Sequence, residues 1–116
     1  MEECIAPARD KFKVTFNYEL GNSIPPAVTM GFAGIVKEAV NNAIRHSTGD
    51  ELLVEAAEHA GFYELRIEDN GRAVSYEHKN RGIGLDNMRD RAKELRGKID
   101  IEGNEDGFTV LVTVPK

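Results

Sequence analysis

Residues 26–47 read PAVTMGFAGIVKEAVNNAIRHS, and this stretch decides the architecture of the chain. It opens with a proline, whose fixed φ suits the first turn of a helix. At about 100° per residue, its apolar side chains fall on one broad arc, which predicts a helix over about 26–47 with one buried face. The residues of this arc are Val28, Phe32, Ile35, Val36, Ala39, Val40 and Ala43.

A second arc of the same helix carries polar residues and two glycines. Glu38 and Asn42 are four residues apart, so their side chains project together. Gly31 and Gly34 share this stripe although glycine weakens a helix, which indicates that something approaches this face closely. The full arc is Gly31, Gly34, Glu38, Asn41, Asn42 and Arg45.

Stretches that alternate between apolar and polar residues lie on both sides of this helix. Residues 12–20 alternate in this way, and residues 52–57 and 62–69 predict two further strands joined around 59–61. Strand parity puts Asp69 on the core-facing side with Ile67, which is an unusual place for an acid. Residues 1–10 show no such pattern, and we expect them to be a frayed lead-in.

A second helix and two more strands follow a polar, loop-like segment at residues 70–81. Gly82-Ile83-Gly84 precedes the helix, and Gly97 lies just past its end. Residues 99–101 and 110–114 predict strands around a turn at 102–107. The order β-α-β-β-loop-α-β-β therefore predicts an α/β (α+β) domain, with a mixed or antiparallel sheet and both helices on one face.

Length and composition limit the possible classes of protein. The chain has 116 residues, of which 41% are hydrophobic, and we expect one domain over 1–116 with a single core. A net charge of −5 argues against nucleic acid as a partner. The single cysteine, Cys4, excludes an internal disulfide and a thiolate zinc site. No apolar run approaches the roughly 20 residues that span a bilayer, so we expect a cytoplasmic domain without membrane contact.

Three segments carry residues with chemical uses. Glycines at the start of a helix offer backbone N–H groups to phosphate, as Gly82 and Gly84 would. The amide of Asn42 is a plausible oxygen ligand for Mg²⁺, and the Glu38 carboxylate could polarise a water or hydroxyl. The Asp69 carboxylate could accept a hydrogen bond from an amino group such as that of adenine.

The order and spacing of these segments resemble the GHKL ATPase family, in particular the ATP-binding catalytic domain of sensor histidine kinases. The similarity runs from about Phe12 to Pro115. Segment 38–47 resembles the N box of the family, segment 69–71 the G1 box and segment 82–85 the G2 box. The motif GLDNMRDR at residues 84–91, followed by LRG at 95–97, is similar to the nitrate-sensor-like subclass.

The resemblance implies a fold and a set of residue roles. The implied fold is the Bergerat two-layer sandwich, with a mixed sheet, helices on one face and a short ATP lid at about residues 73–83. Glu38 would be catalytic, Asn42 would coordinate Mg²⁺ that bridges the ATP phosphates, and Asp69 would bind the adenine amine. Gly71, by admitting a flat base, and Thr109 would support Asp69. The other residues implied to lie near the nucleotide are Arg45, His46, Gly82, Gly84 and Leu85.

The resemblance also implies a function. The domain would bind ATP or ADP and supply the γ-phosphate to a phosphoacceptor histidine on a dimerisation domain that this chain lacks, so it should not autophosphorylate alone. A response regulator would receive the phosphoryl group afterwards, and the parent kinase would be a homodimer. We expect the domain to be cytoplasmic, including as the cytosolic part of a membrane-bound sensor, and Met1 to be the boundary of a fragment.

Departures from the family pattern keep two alternatives open. Ala73 stands where the G1 box normally has its second glycine, and its methyl group could hinder lid closure or nucleotide entry. This feature favours a non-catalytic, nucleotide-binding regulatory module. An anti-sigma-factor-like serine kinase would share the fold, although the MRDR sequence at residues 88–91 favours the histidine kinase branch.

Overall fold

The computed structural model describes residues 1–21, 23–71 and 82–116, and this part of the chain contains five strands and three α-helices. The elements up to the first hairpin are α1 (Glu2–Ile5), a 3-10 helix (Ala6–Asp10), β1 (Lys13–Glu19), α2 (Pro26–His46), β2 (Glu51–Glu58) and β3 (Phe62–Asp69). The remaining elements are α3 (Gly82–Glu94), β4 (Lys98–Asn104) and β5 (Gly107–Pro115). The predicted order of elements is confirmed from β1 onward.

The five strands form one mixed sheet in the order β1-β2-β3-β5-β4. β1 and β2 are parallel, because the long helix α2 connects them and returns the chain to the same end of the sheet. The other neighbouring pairs are antiparallel. The sheet is therefore mixed, as predicted.

The core lies between one face of this sheet and the helices. All seven residues of the predicted apolar arc of α2 are buried, which confirms that arc as the core face. Alternate residues of the central strands face it, as their burial patterns show. These strand residues are Leu52, Val54, Ala56, Tyr63, Leu65, Ile67, Phe108, Val110, Val112 and Val114. The result is an α+β two-layer sandwich, in agreement with the predicted fold class.

The N-terminal segment is ordered, so the expectation of a frayed lead-in over residues 1–10 is wrong. Residues 2–10 form two short helices, and the side chains of Ile5 and Ala8 are fully buried in the core. The Lys11 ammonium group donates hydrogen bonds to the carbonyl oxygens of Ala43, Ile44 and Ser47, at 3.2, 2.8 and 2.6 Å. This segment therefore packs against the C-terminal end of α2.

The glycine stripe of α2 is where α3 packs. A Cβ on Gly31 would lie 2.6 Å from Leu95, and one on Gly34 would lie 2.6 Å from the guanidinium carbon of Arg91. The prediction of a close approach to this face is confirmed, and the approaching element is the second long helix.

The start of α3 differs from the prediction. The helix begins at Gly82, so Gly82 and Gly84 lie in its first turn and not in a loop before it. Residues 82 and 83 of the predicted lid at 73–83 therefore belong to this helix, and the remaining residues 73–81, with Ala73, lie outside the described residues. Within the described ranges, no helix is both long and apolar enough to cross a membrane.

Candidate functional site

Asp69 is a buried carboxylate at the end of β3. Its side chain faces the core, as strand parity predicted, and only 4% of the residue is exposed. Asp69 Oδ1 accepts a hydrogen bond from Ser47 Oγ at 2.8 Å and another from the Gly71 backbone N–H at 2.9 Å. These two donors offset the cost of burying the charge and fix the plane of the carboxylate.

Ser47 is a member of this site that the sequence reasoning missed. It is the residue just after α2, where the backbone turns from helical to extended. Its hydroxyl group donates to Asp69 and accepts from the Gly49 backbone N–H at 3.0 Å. A serine directly after a predicted helix end, followed by Thr48-Gly49, was the available signal, because serine hydroxyls commonly bond to nearby backbone groups there.

Gly71 has a tighter environment than the sequence suggested. A Cβ at this position would overlap Ser47 Oγ and lie 2.8 Å from the backbone nitrogen atoms of Thr48 and Gly49. The missing side chain therefore lets the segment after β3 pack against the turn after α2. This close packing holds the Gly71 N–H within reach of Asp69.

Asn42 and Gly84 are brought together from the two predicted helix motifs. The side chain of Asn42 is buried, with 6% of the residue exposed, and a Cβ on Gly84 would overlap its amide group. The Nδ2 atom of Asn42 is buried and makes no hydrogen bond within the described part of the chain. A buried amide donor without an acceptor is costly, so this atom is suited to a ligand oxygen.

Glu38 lies one helical turn before Asn42 and also faces α3. Its Oε1 atom accepts a hydrogen bond from Asn87 Nδ2 at 3.3 Å. The stripe of α2 that carries the predicted site thus contacts α3, with Gly34 opposite Arg91 and Asn42 opposite Gly84. Asn87 is a second contributor that the sequence reasoning missed.

Two of the predicted site residues, Arg45 and Leu85, do not join these residues through their side chains. Arg45 is exposed on the last turn of α2, and the half-buried His46 ends that helix. The Leu85 side chain belongs to the hydrophobic core, so only its backbone could contact a nucleotide. Gly82, which has no side chain to contribute, marks the first residue of α3.

The prediction that Thr109 supports Asp69 is wrong. Thr109 pairs with Glu68 between β5 and β3, and Phe108 is the residue opposite Asp69. Because successive side chains point to opposite faces of a sheet, Thr109 lies on the face away from the Asp69 carboxylate.

The donor set limits how Mg²⁺ could bind. The described residues include no group of three or more histidine, cysteine, aspartate or glutamate side chains that could hold a metal ion. Mg²⁺ commonly uses one or two protein oxygens and completes its shell with waters and phosphate oxygens. Asn42 therefore fits a metal that arrives with a nucleotide and does not fit a metal held by the protein alone.

The chain is similar to known proteins over most of its length. A family model described as histidine kinase-, DNA gyrase B-, and HSP90-like ATPase matches residues 28–116. The nitrate/nitrite sensor protein NarX of Escherichia coli is 32% identical over 107 residues, which cover 90% of this chain and 18% of NarX. The sensor protein VraS of Staphylococcus haemolyticus is 33% identical over 87 residues, covering 74% of this chain and 25% of VraS.

Solved structures share the fold. The histidine kinase AdeS of Acinetobacter baumannii aligns with a TM-score of 0.80 and 17% identity, over 98% of this chain and 61% of that one. The histidine kinase domain of a blue-light activated kinase from Erythrobacter litoralis also aligns with a TM-score of 0.80, at 19% identity, over 98% of this chain and 56% of that chain.

The chain belongs to the histidine kinase-, DNA gyrase B- and HSP90-like ATPase family. Within that family it is the ATP-binding catalytic domain of a histidine kinase, of the nitrate-sensor-like kind. It spans a quarter or less of the length of the curated relatives that it matches.

Proposed function

We propose that this domain binds ATP with Mg²⁺ between Asp69 and Asn42, and that the γ-phosphate passes to a histidine on a dimerisation domain of a longer parent kinase. The observation that carries the proposal is the buried Asn42 amide, which lies against Gly84 and whose Nδ2 donor, without a partner in the described residues, calls for an oxygen acceptor such as a phosphate. Membership of the ATPase family supports ATP as the ligand.

Asp69 is proposed to recognise the adenine base. Its carboxylate is already fixed by hydrogen bonds from Ser47 and Gly71, so no reorganisation is needed when an exocyclic amine approaches. A charged acceptor in a buried setting forms a stronger hydrogen bond to an amine than an exposed one.

Asn42 and Glu38 are proposed to serve the phosphate end of the nucleotide. Asn42 would hold Mg²⁺ through its side-chain oxygen, and the metal would neutralise charge on the phosphates. Because Gly84 covers the Asn42 amide, the first turn of α3 would shift when the nucleotide enters. The start of α3 at Gly82 would then present backbone N–H groups to the phosphates, and Glu38 would orient the transfer.

The later steps of the proposal involve molecules other than this chain. The histidine would belong to the dimerisation domain of the parent, which we propose to be a homodimer, and a response regulator would take the phosphoryl group from that histidine. The site would act in the cytosol, where ATP is available. Catalysis would come from positioning and charge neutralisation, because phosphoryl transfer needs little covalent help from the protein.

Titration calorimetry with ATP, with and without Mg²⁺, tests the proposal. Mg²⁺ should strengthen ATP binding to the wild-type chain but not to Asn42→Ala. Asn41→Ala is the matched control, since Asn41 is the exposed neighbour on the same helix, and it should keep the Mg²⁺ effect. Absence of binding to folded wild-type chain at millimolar ATP, or an unchanged Mg²⁺ effect in Asn42→Ala, would overturn the proposal.

A further inference from the structure

Ser47 connects the predicted base site to two other parts of the fold. Its hydroxyl group donates to Asp69 Oδ1 at 2.8 Å and accepts from the Gly49 N–H at 3.0 Å. Its carbonyl oxygen accepts from Lys11 Nζ at 2.6 Å. The residue is 5% exposed, and its bond to Asp69 forms in a buried setting where a hydrogen bond is strong.

The contacts of Ser47 fix the orientation of its hydroxyl group. The Gly49 N–H occupies an acceptor position of Oγ, so the hydroxyl proton is left to point at Asp69. The Gly71 N–H donates to the same carboxylate oxygen at 2.9 Å. The rotation of the Asp69 carboxylate about its side-chain bonds is therefore restricted by two donors that belong to different turns.

We infer that Ser47 is a positioning residue that makes the site selective for a purine with an exocyclic amine, because it holds the Asp69 carboxylate in the direction that this amine requires. The inference rests on the proposed function, in which Asp69 recognises adenine. Without the Ser47 hydroxyl group, the Asp69 carboxylate would lose one of the donors that fix its direction.

A purely structural role for Ser47 makes a different prediction. If Ser47 only ended α2 and closed the turn at 47–49, loss of its hydroxyl group would lower the stability of the fold. It would also weaken the binding of all nucleotides to the same degree. The Lys11 contact uses the backbone carbonyl of Ser47, so it can survive a change of the side chain. A ligand that lacks only the amine therefore separates the two roles.

The experiment compares ATP with purine riboside triphosphate, which has the same ring system without the exocyclic amine. Affinities are measured by calorimetry in Mg²⁺ for the wild-type chain, for Ser47→Ala and for Ser23→Ala. Ser23 is exposed before α2, so its substitution is the matched control. Ser47→Ala should bind ATP about tenfold more weakly, the loss expected for one hydrogen bond to a charged group, with the affinity for purine riboside triphosphate nearly unchanged.

Each outcome has one meaning. Loss of the preference for ATP in Ser47→Ala alone supports the inference. An equal weakening of both nucleotides, or a retained preference, overturns it and leaves the proposed function intact. If the wild-type chain binds both nucleotides equally or binds neither, the proposed base recognition by Asp69 is itself wrong. If Ser47→Ala does not fold, Ser47→Cys, which keeps a side chain of similar shape and weakens the donor, is measured in its place.

Discussion

At the scale of single residues, Gly84 sets how closely α3 can approach Asn42. A side-chain carbon at position 84 would overlap the Asn42 amide. Because Asn42 is buried, its amide has little room to move away. We therefore expect Gly84→Ala to lower the free energy of unfolding by about 1–3 kcal/mol, as overpacking of a core commonly does. It should also weaken Mg²⁺-dependent ATP binding, and urea unfolding with calorimetry would measure both effects.

Gly61→Ala is the control for this prediction. Gly61 lies in the hairpin between β2 and β3, and a Cβ there would meet nothing within 4 Å. The control should have the stability and nucleotide affinity of the wild-type chain. If Gly84→Ala is as stable as Gly61→Ala and binds ATP equally well, the close packing of α3 on Asn42 has no role in the site.

Individual site residues were predictable where local pattern decides their position. The parity of β3 was enough to place Asp69 on the core side. Thr109 was assigned wrongly although the alternation of core-facing valines in β5 already puts it on the opposite face. Only the identity of the residue opposite Asp69 depends on the register between β3 and β5, which is established on folding. Ser47 was missed because its bond to Asp69 joins residues 22 positions apart.

At the scale of elements, Lys11 stabilises the C-terminal end of α2. Its ammonium group bonds to three carbonyl oxygens at the end of the helix, where acceptors lack partners within the helix and the dipole attracts a cation. Lys11→Met keeps the aliphatic stem and removes the charge. We expect it to lower the free energy of unfolding by about 1–2 kcal/mol in urea denaturation.

The matched control for this prediction is Lys37→Met, the same change at an exposed position within α2. Lys37 lies far from either end of the helix, so its charge has little interaction with the terminal carbonyls. Equal losses of stability in the two variants would show that Lys11 does not act as a cap.

The elements themselves were predictable to differing degrees. The long helix and the strands have enough residues for their apolar side chains to repeat at a recognisable spacing, and α2 ends within one residue of the predicted end. The helices at residues 2–10 are too short to show a period, and their order comes from burial of Ile5 and Ala8 against the rest of the chain. The glycine stripe indicated a close neighbour on α2, but only the folded structure identifies α3 as that neighbour.

At the scale of the whole molecule, the side chain of Glu58, at the end of β2, connects the segments that follow β1 and β5. Its carboxylate accepts hydrogen bonds from Lys116 Nζ at 2.7 Å and from the Gly21 backbone N–H at 3.3 Å. These bonds lower the pKa of Glu58 below its ordinary value of 4.5, and the bond to Lys116 has the larger effect. The charged form is therefore favoured in the folded state.

This shift predicts a pH dependence of stability. Because the pKa of Glu58 is lower in the folded than in the unfolded chain, its contribution is present above pH 4.5 and is lost as the pH falls through the folded value. Urea unfolding between about pH 6 and about pH 3 should show a shallower loss of stability in Glu58→Gln than in the wild-type chain. Parallel curves for the two proteins would contradict the prediction.

The general architecture was predictable, but the order of strands in the sheet was not. Adjacent strands in the sequence indicated hairpins, and both hairpins are present. The parallel pairing joins β1 with β2, which are separated in sequence by α2. The pairing of β3 with β5 joins strands that are separated by α3 and β4. Such contacts depend on how the whole chain packs and leave no local pattern in the sequence.

The central claim is that ATP binds with its base at Asp69 and, together with Mg²⁺, with its phosphates at Asn42. The most direct test is to follow backbone amide signals by two-dimensional NMR during titration with Mg²⁺ and ATP. Our account predicts that the signals of Gly71 and Gly84 shift, whereas those of Gly61 and Gly97, near the opposite end of β3, stay in place. Shifts confined to Gly61 and Gly97, or none at saturating ATP, would contradict it.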